Sequence, residues 1–143
     1  MKNDLVLNKD KILKLIGLFD EALTELYSLK QIDKDTLLKS RDKYAMEHLF
    51  YRLAMISIDI CFHIASRLQR RVPETYKDCF SVLNEAGIIS TATKRKLAEL
   101  AGLRNLIAHV YWDIDYDKLY NYLNKLTQLE NFRNTVLNLI KVG

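Results

Sequence analysis

The sequence is poor in residues that interrupt helices, with one proline and four glycines in 143 positions. Folds rich in β-strands need frequent turn residues, and glycine and proline are prominent among them. Their scarcity therefore argues against many short strands and favours long helices. Apolar residues make up 49% of the chain, which suits one packed core at this length. We predict an all-α protein in which residues 1–143 form a single domain.

Cysteine is also scarce, because only Cys61 and Cys79 occur, without a Cys-x-x-Cys pair or a metal-like histidine spacing. Two buried free thiols are expected. Asp113, Asp115 and Asp117 lack the glycine and distal glutamate of a calcium loop and are interpreted as turn and cap residues. We therefore expect no metal and no cofactor.

Long apolar runs are missing as well. The apolar start at residues 5–7 is too short for a signal peptide, and no run approaches the roughly 18 apolar residues of a membrane span. A soluble cytoplasmic protein is expected. The formal charge of +4 is a mild basic bias, compatible with a phosphate-bearing partner but too small to require one.

Apolar residues recur at helical spacing, so we predict an up-and-down bundle of four to five helices. Pro73 ends the longest helix, because proline cannot continue the hydrogen-bond ladder. The expected helical segments are these: from an N-cap at Asn8 to about Lys30, from about Asp35 to Gln69, from Thr75 to a C-terminal Gly87, from Ser90 or Thr91 through the 100s, and from Asp115 to about Val142.

One short segment, residues 102–112, carries the chemistry. Arg104, Asn105, His109 and Tyr111 stand within eight positions at the end of a predicted helix. Asn105 and His109 are four apart and share a face, so the amide can fix the imidazole tautomer. Arg104 and His109 are about 140° apart around an ideal helix. They can meet only through the reach of the arginine, a distorted helix end or a second subunit.

These residue types suit RNA cleavage without a metal. A histidine can take the proton from a ribose 2′-hydroxyl, whose oxygen then attacks the adjacent phosphorus. An arginine can bind the phosphate at two points and stabilise its growing charge. DNA lacks the 2′-hydroxyl, so this route selects RNA. Taken alone, however, so short a motif more often reflects a helix cap and a surface ion pair.

The sequence resembles the HepT toxins of the HEPN group of ribonuclease and nucleotide-binding domains. That family is marked by Arg, four residues, His, one residue and Tyr, usually with Asn after the Arg, as in Arg104, Asn105, His109 and Tyr111 here. The resemblance extends from about residue 8 to residue 140. Further similar segments are Lys43–Glu47, Ile58–Ile60, Pro73–Asp78 and Leu83–Ile89.

The resemblance implies a homodimer in which facing motifs build a shared cleft. It also implies a toxin whose cognate antitoxin is a minimal nucleotidyltransferase that silences the ribonuclease by transferring AMP to Tyr111. The catalytic residues implied are Arg104, Asn105 and His109. A dimer would ease the angular problem, since Arg104 of one subunit could serve His109 of the other.

Other polar groups leave alternatives open. Asp59 and His63 are four apart on the predicted long helix. They form either an ordinary intrahelical pair, which is the favoured interpretation for His63, or a pair in which the carboxylate holds the histidine in support of the catalytic residues. Lys94, Arg95 and Lys96 lie at a helix start, where cations are mildly unfavourable, and are candidates for RNA binding.

Two further clusters have structural explanations. Basic residues late in the long helix suit its dipole, and aromatic residues beside the motif are expected to pack rather than to stack bases. The first cluster is Arg67, Arg70 and Arg71, and the second is Trp112, Tyr116, Tyr120 and Tyr122.

Three functions remain in view. The first is an RNA endonuclease toxin with His109 as base and Arg104 as phosphate clamp. The second is a non-catalytic module that holds nucleotide or substrate for a partner nucleotidyltransferase. The third is a structural dimerisation domain, which would not need an ordered Arg, Asn, His and Tyr.

Overall fold

The chain folds into an up-and-down helical bundle, as predicted. The computed structural model describes residues 5–68 and 70–142, and these ranges contain no strand. The elements are α1 (Lys9–Lys30), α2 (Lys34–Leu38), α3 (Asp42–Arg67), α4 (Tyr76–Glu85), α5 (Thr91–His109), α6 (Tyr116–Tyr122), a 3-10 turn (Leu123–Lys125) and α7 (Leu126–Val142).

Side-chain caps begin most of the helices at the predicted residues. The Asn8 side chain accepts a hydrogen bond from the Lys11 backbone N–H at the start of α1. Thr75, Ser90 and Asp115 cap α4, α5 and α6 in the same way. Each cap satisfies a backbone donor that has no partner inside the helix. Gly87 follows α4 with φ of 76°, the left-handed conformation expected after a helix C-terminus.

The prediction of one helix from Asp35 to Gln69 is wrong. The helix is interrupted after Leu38, and α3 begins only at Asp42. The Ser40 hydroxyl donates to the Leu37 carbonyl at 2.9 Å and accepts from the Asp42 N–H at 3.1 Å. These local bonds replace the helical ladder at the break. The predicted end at Gln69 lies outside the described residues.

Helix α3 is the central element, because α1, α4, α5, α6 and α2 all pack against it. By length and composition alone it could cross a membrane, contrary to the expectation drawn from the short apolar runs. However, 61% of its most apolar stretch is buried inside the bundle. An apolar helix covered by its neighbours is typical of the core of a helical bundle.

Aromatic pairs lie where the other helices meet this core. Phe19 of α1 packs against Phe132 of α7, and Phe50 of α3 meets the Tyr122 ring edge-on. Cys61 and Cys79 are buried free thiols, as predicted. Burial raises the pKa of Cys79 to about 12 and the pKa of Cys61 well above its usual value, so both thiols stay protonated.

Candidate functional site

The motif lies on the last turns of α5 and the turn that follows. His109 is the final residue of α5, and its side chain is exposed. The Val110 N–H closes the helix by donating to the Leu106 carbonyl at 2.8 Å. Tyr111 and Trp112 then project outward, each 72% exposed, with their rings edge-to-face and 5.3 Å apart. This end of the helix therefore presents an imidazole and a phenol to solvent.

Arg104, in contrast, is half-buried against α3 and α4. Its Nε lies 3.3 Å from the Met55 sulfur. Its guanidinium carbon lies 5.7 Å from the centre of the Tyr51 ring and 5.5 Å from that of Tyr76. Both distances are within the range of cation–π attraction. The planar group is thus oriented by its surroundings before any ligand binds.

The polar motif residues are joined differently from the sequence-based expectation. Asn105 accepts a hydrogen bond from Arg104 at 3.1 Å through its amide oxygen. Within the described ranges no side-chain hydrogen bond joins Asn105 or Arg104 to His109. The amide therefore supports the guanidinium rather than the imidazole. Within one chain, Arg104 and His109 remain two separate groups on the same helix.

His63 has a structural partner that sequence spacing did not indicate. Its Nε2 accepts a hydrogen bond from the Asn8 backbone N–H at 3.1 Å, and the ring is only 8% exposed. Burial, together with the nearby charges of Arg67 and Lys11, lowers the pKa of His63. The expected side-chain pairing with Asp59 is wrong, because Asp59 is exposed and the described residues contain no side-chain hydrogen bond or ion pair between the two.

The first basic cluster contains a structural clip. Arg71 binds Asp78 and Glu85 together, which raises the pKa of Arg71 and lowers that of Asp78. The clip ties the segment after α3 to both ends of α4. Arg71 therefore has a structural role, but through ion pairs with α4 and not through the dipole of α3, which ends at Arg67.

The second cluster borders an open groove of about 870 Å³ between α4, α5 and α6, into which Arg95 projects. Lys94 is half-buried at the start of α5, and Lys96 lies 3.5 Å from Glu99. Glu99 lies at the same distance from Lys125. These acidic contacts offset part of the positive charge that RNA binding would use.

The tyrosines of the aromatic cluster pack and form hydrogen bonds inside the bundle, as predicted. The Tyr116 hydroxyl donates to Glu47, the Tyr120 hydroxyl to the Ile32 carbonyl, and the Tyr122 hydroxyl to the Lys96 carbonyl. Burial raises the pKa of Tyr116 and of Tyr122. The expectation that Trp112 packs with these tyrosines is wrong, because its side chain is 72% exposed; Tyr111 and Trp112 are both exposed rings beside His109.

Sequence reasoning missed the residues that surround Arg104. Tyr51 and Met55 are four apart on α3, so a shared face was visible, but nothing in the sequence linked that face to residue 104. Tyr76 belongs to a different helix. The described residues contain no cluster of three or more His, Cys, Asp or Glu side chains suited to a metal ion.

Comparison with known proteins places the motif in a family. The family model for ribonuclease HepT-like proteins matches residues 19–136. A protein named tRNA nuclease HepT, from Aphanizomenon flos-aquae (strain 2012/KM1/D3), is 30% identical over 109 residues, 76% of this chain and 72% of that protein. A protein named mRNA nuclease HepT, from Shewanella oneidensis, is 28% identical over 79 residues, 55% of this chain and 58% of that protein.

Solved structures share the fold. A tri-AMPylated HEPN toxin of Shewanella oneidensis, in complex with its MNT antitoxin, superposes with a TM-score of 0.81 at 20% identity, over 89% of this chain and 96% of that one. The cytosolic protein YutE of Bacillus subtilis, described as of unknown function, also gives a TM-score of 0.81 at 20% identity, over 94% and 92% of the two chains. At such identity the likeness shows the fold.

Proposed function

The chain belongs to the ribonuclease HepT-like family, and on that premise we propose that it is the toxin of a toxin–antitoxin pair and cleaves RNA without a metal. The observation that carries the proposal is the motif itself. Arg104, Asn105, His109 and Tyr111 all lie within the matched residues 19–136. The relatives named as tRNA and mRNA nucleases agree with RNA as the substrate class.

In the proposed reaction His109 acts as general base on the ribose 2′-hydroxyl. The 2′-oxygen forms a bond to the adjacent phosphorus while the bond from phosphorus to the 5′-oxygen of the next nucleotide breaks. The products are a 2′,3′-cyclic phosphate and a free 5′-hydroxyl, which takes up a proton, so that protons balance over the turnover. The exposed imidazole at the end of α5 is accessible to an RNA strand.

Arg104 is proposed to bind the scissile phosphate. Its guanidinium is kept in one orientation by Tyr51, Tyr76 and Asn105, which lowers the entropic cost of binding an anion. Pre-oriented donors of this kind stabilise charge that develops on phosphate oxygens. Asn105 is then a positioning residue for Arg104.

We propose that the active unit is a homodimer. Arg104 and His109 of one chain share no hydrogen bond and lie about 140° apart around α5. A second copy whose α5 end faces the first would supply His109 to the Arg104 of its partner. The proposal rests on the family resemblance and on this separation within one chain.

Tyr111 is proposed as the site of silencing by a nucleotidyltransferase antitoxin. Its phenol oxygen would attack the α-phosphorus of ATP, releasing pyrophosphate and losing its proton. The added AMP would bring negative charge and a base beside Arg104 and so compete with RNA. The 72% exposure of Tyr111 suits such a modification, and the Shewanella toxin of the same fold is AMPylated in complex with an MNT antitoxin.

We also propose that the protein works in the cytoplasm, the compartment in which the Bacillus subtilis relative is described. The second candidate function is a non-catalytic module that binds nucleotide for the nucleotidyltransferase. The separation of Arg104 from His109 in one chain favours it, because binding phosphate does not need the two groups to act on one bond.

Cleavage assays in EDTA separate the two functions. Unmodified wild type, shown by mass to lack AMP on Tyr111, should cut a mixture of tRNA and mRNA, and His109→Ala should lose the activity by at least about 10²-fold. His48→Ala, which changes an exposed histidine on a different helix, α3, is the matched control and should cut normally. Intact RNA after incubation with unmodified wild type would favour the binding module.

A further inference from the structure

A second groove, between α1, α3 and the start of α4, begins beside Arg104. It has a volume of about 650 Å³, and Met55 and Tyr76 line it. Met55 and Tyr76 are also two of the residues that contact Arg104. The groove is therefore continuous with the surroundings of the group proposed to bind the scissile phosphate.

Two cations lie at the far end of this groove. Lys11 of α1 and Arg67, the last residue of α3, both line it and are exposed. Within residues 5–68 and 70–142 neither forms a salt bridge. Both lie beside His63, which also lines the groove and whose pKa is lowered by burial and by these two charges. Met55 and Arg67 are twelve residues apart on α3, or about 18 Å.

The stretch between these two positive ends is apolar, with one carboxylate. Ile58 and Phe62 line it, and the Phe62 ring meets the Tyr76 ring edge-on at 6.3 Å. Asp59 stands exposed at its middle. A carboxylate repels phosphate but accepts hydrogen bonds from the amino groups of bases. Along the groove, the cation Arg104 is followed by a surface on which a base can bind, and then by the cations Lys11 and Arg67.

We propose that this groove binds single-stranded RNA next to the cleaved bond, with one phosphate at Arg104, a base against Phe62 and Tyr76, and a further phosphate at Lys11 and Arg67. The site rests on the ribonuclease function proposed above and deepens it by naming a substrate-binding surface. An unpaired strand is required, because a base in a duplex cannot turn its face to aromatic side chains.

Binding of a 2′-O-methyl oligonucleotide tests the groove independently of catalysis, since the methylated strand has no free 2′-hydroxyl to attack phosphorus. The double variant Lys11→Ala/Arg67→Ala should bind it roughly ten-fold more weakly than wild type. Its dependence of log Kd on log salt should also become shallower, by about 0.7 for each lost phosphate contact. Circular dichroism checks that the fold is unchanged.

The matched control is Lys30→Ala/Arg41→Ala, which removes the same charge from exposed positions at the other ends of α1 and α3. It should bind the oligonucleotide like wild type, apart from a small general effect of charge. Equal affinities for the two double variants overturn the proposal, whether both bind normally or both bind weakly.

A strand of equal length without bases tests the central surface. Wild type should bind it about ten-fold more weakly than the complete strand, because stacking on aromatic side chains is lost. Equal affinity for the two strands overturns the base-binding part. If groove variants bind normally while wild type cuts RNA, the groove fails and the ribonuclease function stands. If the groove variants bind weakly but wild type cuts no RNA, the groove stands and the ribonuclease function fails.

Discussion

Arg104 makes contacts that a lysine cannot reproduce. Its guanidinium lies within cation–π distance of both Tyr51 and Tyr76 and donates to Asn105. Lysine keeps the charge but loses the planar fork that binds phosphate at two points. We expect Arg104→Lys to lower the rate of RNA cleavage about 10²-fold, with little change in the free energy of unfolding.

Single-turnover cleavage and urea unfolding of Arg104→Lys check this expectation together. Arg52→Lys, which changes an exposed arginine on α3, is the control and should cleave normally. A variant at position 104 that cleaves at the wild-type rate would show that only charge is needed there.

His63 should make the stability of the fold depend on pH. The native ring accepts a hydrogen bond from the Asn8 N–H, which requires the neutral form at Nε2, and its pKa is lowered below the usual 6.5. Above about pH 6.5 both native and unfolded states are neutral at this residue, so its contribution is complete. As the pH falls further, the unfolded state takes up a proton first, and stability is lost.

Urea unfolding at pH 7.5 and pH 5.0 measures this loss. We expect a smaller decrease for His63→Gln than for wild type, because glutamine does not titrate in this range. His48→Gln removes an exposed histidine from the same helix and should leave the decrease unchanged. If the free energy of unfolding of His63→Gln decreases as much as that of wild type, the pH dependence belongs to other groups.

The residues that form the motif were predictable from the sequence, but the side chains that they contact were not. A four-residue spacing correctly places Asn105 and His109 on one side of a helix, yet the amide contacts Arg104. The orientation of Arg104 depends on Tyr51 and Tyr76, which belong to other helices. Sequence spacing describes neighbours within one helix and contains no information on tertiary contacts of this kind.

At the scale of elements, replacing glycine by alanine is expected to have opposite effects on stability at two positions. Gly87 has φ of 76° after α4, whereas Gly17 lies inside α1, and a Cβ added at either position would have no heavy atom within 4 Å. Gly87→Ala should destabilise the fold by about 1–2 kcal/mol, because an L-residue is strained there. Gly17→Ala should stabilise it by about 0.5–1 kcal/mol through helix propensity.

Unfolding midpoints in urea compare the two variants directly, and each serves as the control for the other. Since both positions have room for a methyl group, a difference between them reports backbone conformation rather than packing. Equal effects of the two substitutions would contradict the left-handed conformation of Gly87.

Helix ends were predictable where a capping residue specifies them locally. Asn8 and Thr75 each cap the helix that the sequence assigned to them. Asp115 also caps a helix, but the prediction of one helix from there to about Val142 is wrong, because α6 ends at Tyr122 and a 3-10 turn precedes α7. The break between α2 and α3 was not predicted, because it contains no proline or glycine and depends on the hydroxyl of Ser40. Serine is compatible with both a helix and a turn, and only its tertiary surroundings decide between them.

At the scale of the whole molecule, the bundle and its core follow from apolar periodicity, whereas assembly of the site does not. α5 carries Arg104 toward α3 and α4 and leaves His109 exposed at its end. Sequence spacing places Arg104 and His109 about 140° apart around an ideal helix, and within one chain no hydrogen bond joins them. We therefore propose that the two groups are joined only in an assembly of two chains.

Mixed dimers test whether the site is shared between subunits. Arg104→Ala and His109→Ala should each be inactive alone. If Arg104 of one subunit serves His109 of its partner, a mixed dimer contains one site with both groups intact. Random mixing then restores about a quarter of the wild-type sites, because half of the dimers are mixed and each has one good site. If both groups act within one chain, every chain in the mixture lacks one of them. No recovery of RNA cleavage after subunit exchange, confirmed with differently tagged chains, would then contradict the shared cleft.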